Sequence, residues 1–123
     1  MGGVGERWGA GSFALVIALG FGGAGCEKKP IDPAQGKSLF ASACARCHGP
    51  EGAGGLALFD GGPAPRNFHD HAFNASHTDE QIKLTIVNGK GVGMPAFGTT
   101  FTDAQLDALV AYVRGFDPEN RGK

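Results

Sequence analysis

Apolar positions in this chain follow two rhythms, one continuous and one helical. Residues 13–21 form an unbroken apolar run, Phe-Ala-Leu-Val-Ile-Ala-Leu-Gly-Phe. Further along, Leu106, Leu109, Val110 and Val113 recur at i, i+3, i+4 and i+7, which places them on one helix face. Thr102 and Gln105 precede that face as a capping box, and Gly115 followed by Pro118 stops it. Thr78 and Gln81 make a second capping box ahead of Ile82, Ile86 and Val87, and Asn88-Gly89 ends that helix. Asp32-Pro33 reads as a helix start, with Asp as N-cap and Pro at the first helical position. The helix then runs from Ala34 to about Ala43, with Leu39 and Phe40 as its apolar contacts. No segment alternates with period two over a useful length. The pattern therefore predicts an all-α domain of roughly four helical segments without repeats. Residues 49–68 carry Gly49, Gly52, Gly54, Gly55, Gly61, Gly62, Pro50, Pro63 and Pro65, so little regular structure persists there. A loop of about twenty residues is unusual in a compact domain unless it wraps something.

Composition sharpens this. The 123 residues fit one domain plus a targeting segment. With 11 basic against 12 acidic side chains, neither a strongly basic nucleic-acid binder nor a polyacidic tail fits. Glycine is in excess, at 22 residues, but nine of these fall within residues 1–25 and belong to a leader.

The apolar run of nine residues is too short for a membrane span, which needs about 20, and suits a signal h-region of about 7–15. Arg7 supplies a positive n-region beside Glu6. Gly22-Gly23-Ala24-Gly25 then leads to Cys26, and the ending Ala24-Gly25-Cys26 resembles a bacterial lipobox, whose cysteine is lipid-modified and becomes the new N-terminus. Gly23 stands where a lipobox has Leu or a similar residue. The other reading is an ordinary signal peptide with a later cut, leaving Cys26 as a thiol. The expected organisation is a lipoprotein-type signal peptide over residues 1–25, a lipid-anchored tether over 26–31, a folded domain over 32–117 and a polar tail over 118–123. The protein would then sit on the periplasmic side of a bacterial membrane, held by lipid on Cys26. A folded part of under ninety residues buries a modest core and is of the size that leans on a metal, disulfide or cofactor.

Cys44-Ala45-Arg46-Cys47-His48 is the segment that carries chemistry. Cys-x-x-Cys-His is the pattern of covalent c-type haem attachment. Two thiols three residues apart near a helix end lie on nearly one side, and each can add to one vinyl group of the same porphyrin. His48 then follows as an iron ligand. A redox dithiol prefers a strand-to-helix context, and no βαβ pattern exists here. A structural zinc site wants four ligands, and a second cluster is missing. A disulfide across so small a loop would add little stability.

Met94 is the candidate sixth ligand. It is the one methionine besides the initiator and sits in Gly91-Val92-Gly93-Met94-Pro95-Ala96-Phe97, a loop that can project a thioether. A core-filling Met more often occupies an apolar helical position. His69, His71 and His77 are the other candidates; they lie in a polar stretch with Asp70, Asn74 and Ser76 and read more readily as surface histidines.

Over about residues 33–116 the chain resembles the class I cytochromes c, the small monohaem type, and especially bacterial lipoprotein and cytochrome-oxidase-associated members. Gly36 and Phe40 match that family's N-terminal helix, Leu109 and Tyr112 the C-terminal helix that crosses it. Cys44, Cys47 and His48 match the haem motif, and Met94-Pro95 the distal ligand loop. The resemblance implies a small cytochrome c fold wrapped around one covalent haem c. It also implies a loop proline whose carbonyl orients the ligand histidine; Pro63 and Pro65 both qualify, and Pro65, in Pro65-Arg66-Asn67-Phe68, is the better match. Arg66 is a candidate for facing a haem propionate, or a surface arginine.

The expectation is an electron-transfer protein that is not an enzyme, with redox proteins such as a respiratory reductase or oxidase as partners, and with no nucleic acid and no small-molecule substrate. No Ser-His-Asp order and no paired carboxylates stand out as a catalytic set. Two further readings are a haem enzyme handling gas or peroxide, which needs an open sixth site, and a haem module of a larger respiratory oxidoreductase complex.

Overall fold

The computed structural model describes residues 29–55 and 57–120, together with Gly2, Gly3, Gly5 and Gly25. The apolar run at 13–21 and Cys26 lie outside the described residues. Among the described residues five α-helices follow in order: α1 Pro33–Ala43, α2 Ala45–His48, α3 His71–Ser76, α4 Asp79–Asn88 and α5 Asp103–Arg114, with a 3₁₀ turn at Pro118–Asn120. Among the described residues there is no strand, and pairing is confined to an isolated antiparallel bridge between Lys90 and Met94. The all-α expectation holds. No helix among the described residues is long and apolar enough to cross a membrane.

The helix starts follow from local chemistry. Asp32 accepts from the Ala34 N–H at 2.9 Å and opens α1. Both capping boxes form reciprocally: Thr78 Oγ1 accepts from Gln81 N–H at 3.2 Å while Gln81 Oε1 accepts from Thr78 N–H at 2.8 Å. Thr102 and Gln105 repeat the exchange at 3.3 and 2.9 Å. Satisfying two orphan donors in this way fixes the helix starts sharply. The expectation of roughly four helical segments omitted the brief helices. α2 and α3 span four and six residues, too few for an apolar period to register. The first three residues of the segment expected as a polar tail, 118–123, are wound into the 3₁₀ turn. Asp117 is the cause. Its fully buried carboxylate accepts from Glu119 N–H at 3.0 Å and Asn120 Nδ2 at 3.1 Å, and lies 2.9 Å from His71 Nδ1.

α1 packs chiefly against α5, and α4 also leans on α5. Leu106, Leu109, Val110 and Val113 are all buried, as the spacing of α5 predicts. Each such side chain contributes about 1.5–3 kcal/mol when fully withdrawn from water. The α1–α5 crossing is close because residue 36 is glycine. A Cβ there would lie 2.2 Å from the Ala108 carbonyl oxygen, so no other side chain fits without parting the helices. One turn on, the buried Phe40 ring meets Tyr112 and Phe116 at centroid distances of 5.3 and 5.1 Å.

Polar clamps set the remaining angles. Arg114 at the end of α5 donates from Nε to Asp79 Oδ1 at 2.8 Å, from Nη1 to the Asn74 carbonyl at 2.5 Å and from Nη2 to the His77 carbonyl. One guanidinium thus gathers the ends of α3, α4 and α5. Lys83 on α4 pairs with Asp103 and Asp107 of α5, and both partners hold its ammonium above the usual lysine range.

Candidate functional site

The cysteine pair straddles the junction of the first two helices. Cys44 closes α1, with its N–H donating to the Phe40 carbonyl at 2.9 Å, and also opens α2. The turn continues through Cys47 N–H and His48 N–H, which donate to the Cys44 carbonyl at 3.1 and 2.9 Å. Both thiols are unbridged and half-buried. Burial, followed by the neighbouring Cys47, pushes the Cys44 thiol up to about 11. A redox dithiol needs a thiol shifted the other way, so that a thiolate is present near neutral pH. Among the described residues, no group of three or more His, Cys, Asp or Glu side chains forms a cage for a bare metal ion.

The glycine-rich loop folds back over this motif. Gly54 N–H donates to the His48 carbonyl at 2.9 Å, and Phe68 N–H to the Gly52 carbonyl at 2.8 Å. At Gly55 a Cβ would stand 2.3 Å from the Cys47 carbonyl oxygen, so only a bare backbone can pass there. No helix or strand interrupts the described residues of this loop before α3.

His48 is oriented by this loop, though not by the residue expected. Its Nδ1 lies 3.1 Å from the Arg66 carbonyl, where the Pro65 carbonyl was expected to serve. The Pro65 carbonyl instead faces Gly54, whose Cβ position would be 2.8 Å away. The one-residue displacement has a physical reason. Proline holds its own φ near −65° and restricts the residue before it, which fixes the path of the loop. Which carbonyl along that path reaches the imidazole then depends on how closely the loop packs on α2. Burial outweighs the Arg66 contact and lowers the His48 pKa, which keeps the ring neutral. A neutral ring donating from Nδ1–H leaves the Nε2 lone pair for a metal. Phe68 stacks on the same ring with centroids 4.6 Å apart and planes at 24°. Nothing in its sequence position, on a polar loop, signalled that contact.

The Arg66 guanidinium carbon sits 5.0 Å above the Phe73 ring, and its Nη1 is 3.7 Å from Asp70 Oδ2.

Met94 sits on a pinned loop. Lys90 and Met94 exchange backbone hydrogen bonds at 3.0 and 3.2 Å, and Phe97 and Gly98 donate to the Ile86 and Val87 carbonyls at the end of α4, each at 3.0 Å. The half-buried Met94 side chain packs on the same apolar cluster as Cys44. The structure thus brings Cys44 and Met94, fifty residues apart, to one cluster. The three other candidate histidines engage elsewhere. His69 Nε2 meets the Glu51 carbonyl at 2.7 Å, and His77 Nδ1 the Phe73 carbonyl at 3.0 Å. His71 lies between Asp117 at 2.9 Å and Glu119 at 3.2 Å.

Soft thiols, an imidazole and a thioether, with Cys44 and Met94 packed on one apolar cluster, are a donor set that fits a covalently held haem better than a hard cation.

Comparison with known proteins agrees. Residues 31–113 match the family model for cytochrome c oxidase, cbb3-type, subunit III. The cbb3-type cytochrome c oxidase subunit FixP of Azorhizobium caulinodans is 34% identical over 79 residues, covering 64% of this chain and 25% of FixP. This chain therefore spans only a quarter of that relative. Cytochrome c6 of Synechocystis is 30% identical over 99 residues, covering 80% of this chain and 78% of that protein. Cytochrome c6 of Rippkaea orientalis is 35% identical over 83 residues, covering 67% and 68%. Among solved structures, the KustC0563 c-type cytochrome superposes with a TM-score of 0.59 at 33% identity, over 67% of this chain and 96% of that one.

Proposed function

This chain belongs to the family of cbb3-type cytochrome c oxidase subunit III, a class I monohaem c-type cytochrome that transfers electrons on covalently bound haem c, and we propose that Cys44 and Cys47 attach that haem with His48 and Met94 as its axial ligands. The observation that carries the assignment is the commitment of His48 Nδ1 to the Arg66 carbonyl, which leaves Nε2 as the ligating nitrogen. When bound, haem c supplies a one-electron ferric–ferrous couple. Cys44 and Cys47 hold it through thioether bonds, so that it stays in place in both oxidation states. Met94 would hold the iron together with His48, and its soft thioether would favour ferrous iron and raise the potential. With His48 and Met94 both holding the iron, no position would be left for a substrate, which supports a carrier role. The loop that carries Gly54 and Arg66 packs over His48, and the backbone-pinned Met94 loop presents the second ligand. The haem-loaded protein is expected to show a sulfur-to-iron charge-transfer band at the red edge of its ferric spectrum. A ferric spectrum without that band would reject Met94 as the ligand.

Redox proteins are the proposed partners. The match to an oxidase subunit supports a second reading, in which the domain serves within a respiratory oxidoreductase complex. The location is proposed to be the periplasmic side of a bacterial membrane, with the first 25 residues removed and lipid on Cys26. One lipid anchor on a short tether would keep the domain at the membrane surface. Mass spectrometry of the native N-terminal peptide is expected to find acyl mass on Cys26 and nothing before it. An unmodified thiol at Cys26, or a mature terminus elsewhere, would replace this with an ordinary signal peptide.

A further inference from the structure

An imidazole that ligates a metal has two orientations to be fixed, the position of its ring atoms in the plane and the tilt of the plane itself. A hydrogen bond from Nδ1–H to a carbonyl restrains the first and only loosely the second, because carbonyl oxygens accept over a broad range of directions. In this chain the Arg66 carbonyl provides the in-plane restraint at 3.1 Å. The out-of-plane restraint comes from Phe68, whose ring is stacked on His48 at 4.6 Å and 24°.

Phe68 is itself held on every side. It is buried, and its ring meets Phe40 edge-on at 6.2 Å, Phe116 at 6.3 Å and Phe73 at 6.1 Å. Its backbone is pinned at both ends. The N–H donates to the Gly52 carbonyl at 2.8 Å, and the carbonyl accepts from the buried Asn74 Nδ2 at 2.8 Å. Asn74 Oδ1 in turn accepts from Arg114 Nη1 at 3.3 Å. A line of contacts therefore runs from the end of α5 through Asn74 and Phe68 to the imidazole. A ring with so little freedom suits the task of holding a second ring still, since an orienting group works only if its own rotamer is locked.

We propose that Phe68 is a positioning residue for His48: it sets the tilt of the imidazole plane, and through it the orientation of the axial bond and the electronic asymmetry of the haem. The proposal rests on His48 being an axial ligand. It adds a residue that touches the ligand, not the iron. A merely structural Phe68 would fill volume, and its loss would lower stability without moving the ligand plane. Stacked rings attract one another beyond their burial, which biases one tilt over its neighbours.

The test uses the haem-loaded chain and its ferric paramagnetic NMR spectrum, in which haem-methyl shifts report the direction of the axial imidazole plane. Phe68→Leu and Phe68→Ile both delete the ring while keeping most of its bulk, so either one suffices if the other does not accumulate. Val110→Ala, a truncation within the α5 core, is the control for lost stability. The expected result is a changed order and spread of haem-methyl shifts, with broadened ferric EPR lines, in the Phe68 variants alone. Unchanged shifts in the Phe68 variants, or the same change in Val110→Ala, would overturn the proposal. The parent protein separates the two layers of the argument. Strongly shifted His48 ring protons in the parent establish His48 as the ligand, so unchanged Phe68 variants then refute only the role of Phe68. Their absence in the parent refutes the ligand assignment and this inference with it.

Discussion

Replacing Cys44 and Cys47 together with alanine, in cells that carry haem-maturation machinery, is expected to abolish covalent haem and leave the polypeptide largely unfolded. Acid–acetone extraction should strip all porphyrin from this variant and none from the parent. The described core is small: five of its buried hydrophobic residues lie on α5, with Phe40 of α1, Ile82 and Ile86 of α4, Phe68 and Phe116 beside them. A core this small leans on a cofactor for stability. Cofactor binding and folding are then coupled, as they are for small metal domains. Circular dichroism of the haem-free chain should show most helical signal lost. Porphyrin that survives extraction on the double variant would refute the attachment sites, and a fully helical haem-free chain would refute the coupling.

Met94→Ala is expected to convert the protein, not unfold it. The thioether bonds through Cys44 and Cys47 and the ligand on the other side, His48, remain. The potential should fall by on the order of a hundred millivolts or more, within the roughly 0.8 V over which axial ligands tune haem. Carbon monoxide binding and weak peroxidase activity should appear, because the iron gains an exchangeable position. The loop should survive the change, since its anchors are backbone hydrogen bonds from Lys90, Phe97 and Gly98, which a side-chain truncation leaves alone. Ligation by His69, His71 or His77 predicts the opposite: Met94→Ala would leave potential and spectrum nearly unchanged, and one histidine substitution would alter both. Each of those histidines already meets a carbonyl or carboxylate within 3.2 Å, which favours the methionine. Potentiometry and carbon monoxide difference spectra on the four single variants decide between them.

What could be read from the sequence was information carried within about one helical turn. The N-cap of Asp32, the capping boxes at Thr78 and Thr102 and the i, i+3, i+4, i+7 face of α5 each depend on residues near one another in the chain, and each was found where expected. The Cys44-Ala45-Arg46-Cys47-His48 motif is local in the same sense, since its chemistry requires that spacing. The close crossing at Gly36 was also legible, through its resemblance to a family helix. Contacts between residues distant in the chain were decided only by tertiary packing. Arg66 and not Pro65 presents its carbonyl to His48, a difference of one residue that depends on how closely the loop settles on α2. Phe68 looked like a residue of a polar loop and is a buried ring stacked on the ligand histidine. Asp117, expected as the last residue of the folded domain, is a fully buried carboxylate that winds the chain after it into a further turn. Local signals state which hydrogen bonds and helix faces a segment favours, whereas the choice among several neighbouring carbonyls or rings is made by close packing, which responds to shifts of an ångström that no spacing in the sequence encodes.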